Sequence, residues 1–192
     1  FPVHPVTLGD ESIRNVEKLK ELPKNKKIKV SPTASMRTLL VQSENPHFIK
    51  LHVPRQISRF MRRLRTNVIQ TEIAICNDLE GISLDRFGYL PEVIGVSFGD
   101  EKEDWGFIIR EFKAKPFIDE ERFMVPYFAL YSKDYLNFSD EPLLVQLIKY
   151  FNADPKEFTL NNILLPLIRN WCYLIRERGL LFGSHGQNTL LE

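Results

Sequence analysis

The strongest constraint on the fold is the order in which periodicities appear along the chain. Runs with strand character come in pairs separated by short turns, in KKIKVSPTASMRTLLVQ with HFIKLHV and again in YLPEVIGVSFGDEKEDWGFIIREFKAK, while the last third is helical. The first pair meets at Glu44-Asn45-Pro46 and the second at the acidic turn GDEKED, so both read as antiparallel neighbours. Strands followed by helices, without alternating βα units, imply an α+β fold with an antiparallel sheet and packed helices.

Helical spacing is found in four places. Asp10 to Leu22 carries Ile13, Val16, Leu19 and Leu22 behind an Asp cap, and Pro23 closes it. Ile57, Phe60, Met61, Leu64, Val68, Ile69 and Ile73 recur at three and four, which predicts one long helix from Gln56 to about Asn77. Glu141 to Phe151 and Leu160 to about Arg178 complete the set, the last ending at Gly179 as a C′ glycine, with Pro166 kinking it or marking its true start. No internal repeat or low-complexity tract divides residues 1–192, so a single continuous unit is the expectation.

Charge narrows the function classes. The 26 basic and 25 acidic side chains nearly cancel, so only a local cluster could bind a polyanion. Arg55, Arg59, Arg62, Arg63 and Arg65 form such a cluster, and on the predicted helix Arg59, Arg62 and Arg63 are neighbours on one face, with Lys50 and Ser58 near its start. A solvated face paired with carboxylates, a phosphate site and a nucleic-acid-binding helix all remain open on spacing alone. The near-neutral balance and the lack of interleaved exposed aromatics place nucleic acid last. Cys76 and Cys172 lie in apolar settings and read as reduced, buried thiols of a cytoplasmic protein. No apolar run reaches membrane-spanning length, so no membrane association is expected. The opening FPVHPVTLGD has no initiator Met and no signal-peptide order, and HGQNTLLE stops in what reads as a turn running into a strand; the expectation is a piece of a longer chain.

Two further segments carry polar chemistry. In Ser35-Met36-Arg37-Thr38, read as extended, Ser35 and Arg37 project to one side and can hold a phosphate oxygen, although the same residues on an ordinary solvent face are the commoner case. In Gly183-Ser184-His185-Gly186-Gln187-Asn188, a ring nitrogen and two amide oxygens sit on flexible backbone, a donor set that suits Mg²⁺ completed by phosphate and water, while a structural histidine in a turn is the commoner case. The remaining histidines form no ligand spacing, and no zinc-hydrolase, Walker or nucleophile-elbow motif is present. Arg110-Glu111, at the end of a hairpin strand, can face the cleft or make an edge salt bridge, the latter being the favoured use.

Taken in order, His4-Pro5, PTASMRTL, IKLHVPRQISRFMRRL and HGQN resemble the siderophore synthetases that work without a nonribosomal peptide synthetase, the aerobactin-synthase (IucA/IucC-like) family. Lys50 and Arg62 stand twelve residues apart, as that family's pattern has them. The resemblance implies the central part of a longer synthetase with a thumb, fingers and palm arrangement. Its activity would be ATP-dependent activation of a citrate-type carboxylate as an acyl-adenylate, then condensation with an amine or hydroxyl. Ser35, Arg37, Thr38, Lys50, Arg62 and His185 would hold ATP, with Arg62 and His185 at the reacting phosphates and Gln187 and Asn188 at Mg²⁺. Implied partners are the two substrates and the rest of the synthetase chain, with a homodimer as one open assembly; a part of this extent, alone, is expected to need the missing pieces for activity. A non-catalytic nucleotide-binding or interaction domain is the alternative. Val6, Thr7 and Gly183 depart from the family pattern, which usually has Trp, Gln and Glu there.

Overall fold

The computed structural model describes residues 2–10, 20–21, 28–57, 60–99, 104–117, 122–133, 137 and 140–192. Two compact units divide the chain: Phe1–Ile82 with Gly88–Ile118, and Ser83–Phe87 with Asp119–Glu192. No shift of composition marks that division in the sequence.

The first unit is built on five antiparallel strands in the order β1-β2-β3-β7-β6, where β1 is Val30–Pro32, β2 Thr38–Val41, β3 His47–Leu51, β6 Glu92–Phe98 and β7 Trp105–Glu111. Both predicted strand pairs are present, and they join through β3 and β7, whose register sets Lys50 opposite Ile108 and Phe48 opposite Arg110. The two faces differ. On one, Val41, Ile49, Leu51 and Phe107 are buried together with Leu39, Val96, Phe98 and Ile109 packed around them. The other is covered by the helix α2, Thr66–Leu79, which lies on β6 and β7 and buries Ile69 with Ile108 and Leu64.

That helix sits unusually close to the strands, and two glycines allow it. A Cβ on Gly95 would fall 2.3 Å from Ile69 Cγ2, and one on Gly106 would fall 2.6 Å from Ile69 Cδ1 and 2.1 Å from the Val96 carbonyl oxygen. Neither distance is attainable between real atoms, so any side chain at these positions must push helix from sheet.

The long helix predicted from Gln56 is corrected. Gln56–Ile57 (β4) and Phe60–Met61 (β5) pair as a small antiparallel hairpin, and the helix begins ten residues later at Thr66. The Arg62 N–H donates to the Arg55 carbonyl at 3.1 Å and the Val53 N–H donates to the Arg62 carbonyl at 3.3 Å, bonds that a helix through this segment could not make. Electrostatics favours this outcome. A helix starting at Gln56 would crowd its positive end with arginines three and four apart, whereas a start at Thr66 lets the Asp104 carboxylate accept the Thr66 N–H at 2.5 Å. Ser58 and Arg59 lie outside the described residues, as does nearly all of the helix expected over Asp10–Leu22. Before the sheet, Pro5–Leu8 forms a single turn (α1) whose first N–H groups meet His4: the Val6 N–H donates to His4 Nδ1 at 3.1 Å.

The second unit is mainly helical: α3 Tyr127–Leu130, α4 Leu143–Tyr150, α5 Pro155–Thr159 and α6 Leu165–Arg178, with the π-helical turn Leu160–Leu164 between the last two. Pro166 lies in the first turn of α6, where its missing N–H costs nothing, and the wide turn before it absorbs the change of direction. Gly179 ends α6 with φ of 66°, the left-handed conformation expected of a C′ glycine. Cys172 is exposed on α6 and Cys76 half-buried in α2, so the expectation of two buried thiols fails for Cys172. Val125–Pro126 (β8) pairs with Leu190–Leu191 (β9), confirming the turn-into-strand reading of the HGQN segment. Among the described residues no helix is long and apolar enough to cross a membrane.

Candidate functional site

Five of the eight site residues named from the sequence fall in the first unit, and the sheet explains how they meet. Thr38 and Lys50 are cross-strand partners on β2 and β3, so residues twelve apart in sequence stand side by side. Ser35 and Arg37 are not extended, as the sequence implied, but form the turn that leads into β2. The Thr33 hydroxyl caps that turn, accepting the Ser35 N–H at 3.1 Å and donating to the Thr38 carbonyl at 2.8 Å. The Ser35 hydroxyl in turn accepts the Arg37 N–H at 3.4 Å. The reason is local: Ser and Thr hydroxyls compete for backbone N–H groups and favour turns over strands.

Arg37 then reaches across to the hairpin. Its Nη1 donates to the Arg62 carbonyl at 3.1 Å, which joins the two motifs through side chain and backbone. Burial is the main influence pulling the Arg37 guanidinium below its usual range, Glu72 and Glu92 oppose that pull, and Arg62 and Arg110 add to it. Two arginines, Arg37 and Arg62, therefore lie within each other's field beside Lys50 rather than along a helix face. The helix that would have set Arg62 and Arg63 three and four residues after Arg59 on one face does not exist here.

Three more residues complete the cluster, Glu72 and Glu92, which sequence reasoning did not select, and Arg110, for which a place in the cleft is the less favoured reading of the sequence. Lys50 Nζ donates to Glu72 on α2 at 2.5 Å and to Glu92 on β6 at 3.3 Å. Glu92, 6% exposed, also accepts from Arg110 Nη2, its cross-strand partner on β7. Arg110 is thus on an interior strand and paired with Glu92, not in an edge bridge with Glu111. Burial raises the Glu72 carboxyl above the ordinary glutamate range, although Lys50 opposes it. Burial would raise Glu92 as well, yet Lys50 and Arg110 outweigh it and hold that carboxyl low. The two neighbouring carboxyls are thus displaced in opposite directions, Glu72 upward by burial and Glu92 downward by its two cations. Cys76 Sγ accepts the Glu92 N–H at 3.2 Å, and burial pushes its thiol upward, away from nucleophilic use.

His52 borders this region from the chain beyond β3. Its Nδ1 accepts the Leu64 N–H at 3.1 Å, and burial pulls its pKa down, so the ring is neutral. Thr7, which stands where the resembled family usually has Gln, is buried and donates its hydroxyl to the His52 carbonyl at 2.7 Å.

His185, Gln187 and Asn188 belong to the second unit, where all three are exposed. Their loop is anchored from below: the Phe128 N–H donates to the Gly186 carbonyl at 3.1 Å, and the Tyr127 N–H donates to Thr189 at 2.9 Å. A Cβ at Gly186 would lie 3.3 Å from the Phe128 nitrogen, a tight approach that obliges this backbone to give by a few tenths of an ångström. His185 Nδ1 accepts the Gln187 N–H at 3.3 Å, which puts the ring proton on Nε2. Asn188 Nδ2 donates to the Gly183 carbonyl at 3.3 Å, leaving Oδ1, the atom a hard cation takes, outside that bond. At Gly183 an added Cβ would meet only Asn188 Nδ2, at 4.0 Å, so packing does not enforce the departure from Glu. Among the described residues no group of three or more His, Cys, Asp or Glu side chains is placed to hold a metal ion.

An antiparallel sheet with a helix pressed on one face, carrying a cluster of cations and carboxylates beside a Ser-x-Arg-Thr turn, defines an α+β protein with a charged, half-buried cluster on that face. Residues 1–132 match the model of the IucA / IucC family, and the chain belongs to that family. Among solved structures, the petrobactin biosynthesis protein AsbB from Bacillus anthracis str. Sterne is similar over 99% of this chain, with a TM-score of 0.70 and 21% sequence identity. The chain spans about a third of the length of AsbB, 34% of it. No curated protein matches the sequence.

Proposed function

We propose that this chain is part of a siderophore synthetase, an ATP-dependent ligase that activates a citrate-type carboxylate as an acyl-adenylate and condenses it with an amine or hydroxyl. Family membership supports the class of protein, and one observation carries the assignment to this site. Arg37 touches Arg62, and Lys50 stands beside Thr38, so the cationic residues of separate motifs converge at one end of the sheet.

The cluster suits a polyphosphate. Arg37, Lys50 and Arg110 gather about Glu72 and Glu92, with Arg62 in the field of Arg37. Arg110 Nε, buried, has no partner among the described residues, so the cluster retains an unspent donor. ATP would supply the leaving group that makes a carboxylate reactive. Ser35, Arg37, Thr38, Lys50 and Arg62 are the residues assigned to bind and orient its phosphates, and His185 a further phosphate contact. Fixed cations aimed at a spreading negative charge are the form of stabilisation that such a transfer needs. Gln187 and Asn188 offer neutral amide oxygens, too little charge to retain Mg²⁺ alone but suited to complete the shell of an ion carried by phosphate.

Calorimetry of Mg·ATP with the chain, beside an Arg37→Ala, His185→Ala double variant of intact fold, tests the reading. Nucleotide-selective binding that the variant loses is the expected result, followed by citrate-dependent pyrophosphate release from the longer chain. Equal affinity in both proteins, or none in either, removes the site assignment.

A further inference from the structure

Lys50 is the member of the cluster whose surroundings are most fully determined. An ammonium has three N–H donors. Glu72 takes one at 2.5 Å and Glu92 another at 3.3 Å, and among the described residues the third has no protein partner. The two acceptors come from different elements, α2 and β6, so the ammonium is held from two directions and its remaining donor has one orientation. Lys50 is only 12% exposed, and a long flexible side chain confined in that way gives up most of its rotamer freedom before any ligand arrives.

The carboxylates are themselves held in place. Glu92 is anchored by Arg110 and by its backbone N–H on Cys76, and Glu72 is joined to it through the Lys50 ammonium that both accept from. Glu72 is therefore not a lone surface partner of Lys50; it holds the far side of an ammonium that Glu92, itself fixed by Arg110, holds on the near side. Its own position on α2 is set by Ile69 and Ile73, three residues before and one after it, which pack against Gly95.

We infer that Glu72 is a positioning residue for the anion site, acting through Lys50 by fixing the direction of the ammonium's third N–H. This rests on the nucleotide-binding reading above and extends it to a residue on α2, outside every motif that marks the family in this sequence. The residue touches no phosphate in this scheme. Its effect on an anion is indirect and exists only while Lys50 is present.

That dependence gives the test. Mg·ATP affinity is measured by calorimetry for the chain and for Glu72→Gln, Lys50→Ala and the double variant, each checked by circular dichroism and thermal unfolding. Glu72→Gln should weaken binding about tenfold, the scale of one lost charge-assisted constraint. Added to Lys50→Ala it should cost nothing more, because the group it orients is gone. Glu72→Asp, which keeps the charge on a shorter stem, should recover part of the loss in the single variant.

The outcomes separate. Losses that add in the double variant make Glu72 a structural residue and overturn the inference, as does unchanged affinity in Glu72→Gln when Lys50→Ala is weakened. In both cases nucleotide binding itself still stands. If wild type binds Mg·ATP and Lys50→Ala binds it equally well, Lys50 has no part in the site and the inference fails. If wild type does not bind, the nucleotide reading fails and the inference with it.

Discussion

Thr38 and Lys50 face each other across β2 and β3, bringing a hydroxyl and an ammonium from two separate sequence motifs into one row of the sheet. The row continues to Ile108 on β7, which is fully buried, so the polar pair ends against the apolar core under α2. Site and core are thus parts of the same face, and changes in one should be felt in the other.

Helix-to-sheet distance is the first such quantity. Gly106→Ala should destabilise the chain by about 1–3 kcal/mol, because the new methyl overlaps both Ile69 and the Val96 carbonyl and the backbone contact cannot rotate away. Chemical denaturation followed by tryptophan fluorescence reports it, since Trp105 is one residue away and buried. An unchanged midpoint would show that α2 is free to retreat.

Acidity should act on the carboxylate pair with opposite signs. Glu92 is held low in the folded state, so its contribution is present above the ordinary glutamate pKa of about 4.3 and is lost as pH falls through the lower folded value. Glu72 is held high, so its contribution is complete below about 4.3 and is lost as pH rises through the raised folded value. Unfolding free energy of wild type minus that of Glu72→Gln, measured across this range, should therefore fall as pH rises. A flat difference would mean that Glu72 titrates normally.

His52 adds a third dependence. Burial favours its neutral ring, so its stabilising contribution is full above about 6.5 and declines as pH drops below that value. The imidazole C2 proton resonance, followed by NMR against pH, should give a midpoint under the ordinary one; a midpoint at or above it would contradict the buried placement.

Removing the acid that starts α2 should loosen the helix without touching the cations. Asp104→Ala leaves the Thr66 N–H unpaired at the positive end of the helix, with an expected cost of about 1–2 kcal/mol. Amide exchange in the first turn of α2 should accelerate most. Equal protection in the variant would mean that water replaces the carboxylate without cost.

The two thiols provide a check on side-chain placement. Cys172 should react rapidly with a maleimide in the native state, whereas Cys76, half-buried and accepting the Glu92 N–H, should label only slowly. Equal rates would put both thiols on the surface.

Both strand pairs and the helix ending at Gly179 were legible in the sequence because each is decided locally, by alternation, a turn or a C′ glycine. The start of α2 was not. Ile57, Phe60, Met61 and Leu64 carry helical spacing that a small hairpin tolerates, and the contest is settled by distant groups: His52 takes the Leu64 N–H and Asp104 takes that of Thr66. The convergence of Ser35, Arg37, Thr38, Lys50 and Arg62 followed from motif order and resemblance, but their counter-charges did not. Glu72, Glu92 and Arg110 meet only because of the β6–β7 register and the tilt of α2, and neither quantity is written in any short stretch of residues.

β3 has neighbours on both sides and is the middle strand of five, whereas β1 lies at an edge and is bonded on one side only. Lys50 rides on the former, and Ser35 and Arg37 on the turn beside the latter. Opening of the sheet from its margin would release the turn first and the ammonium last. The cluster consequently has one wall fastened on both sides and one fastened on a single side, so its two halves should differ in how readily they open.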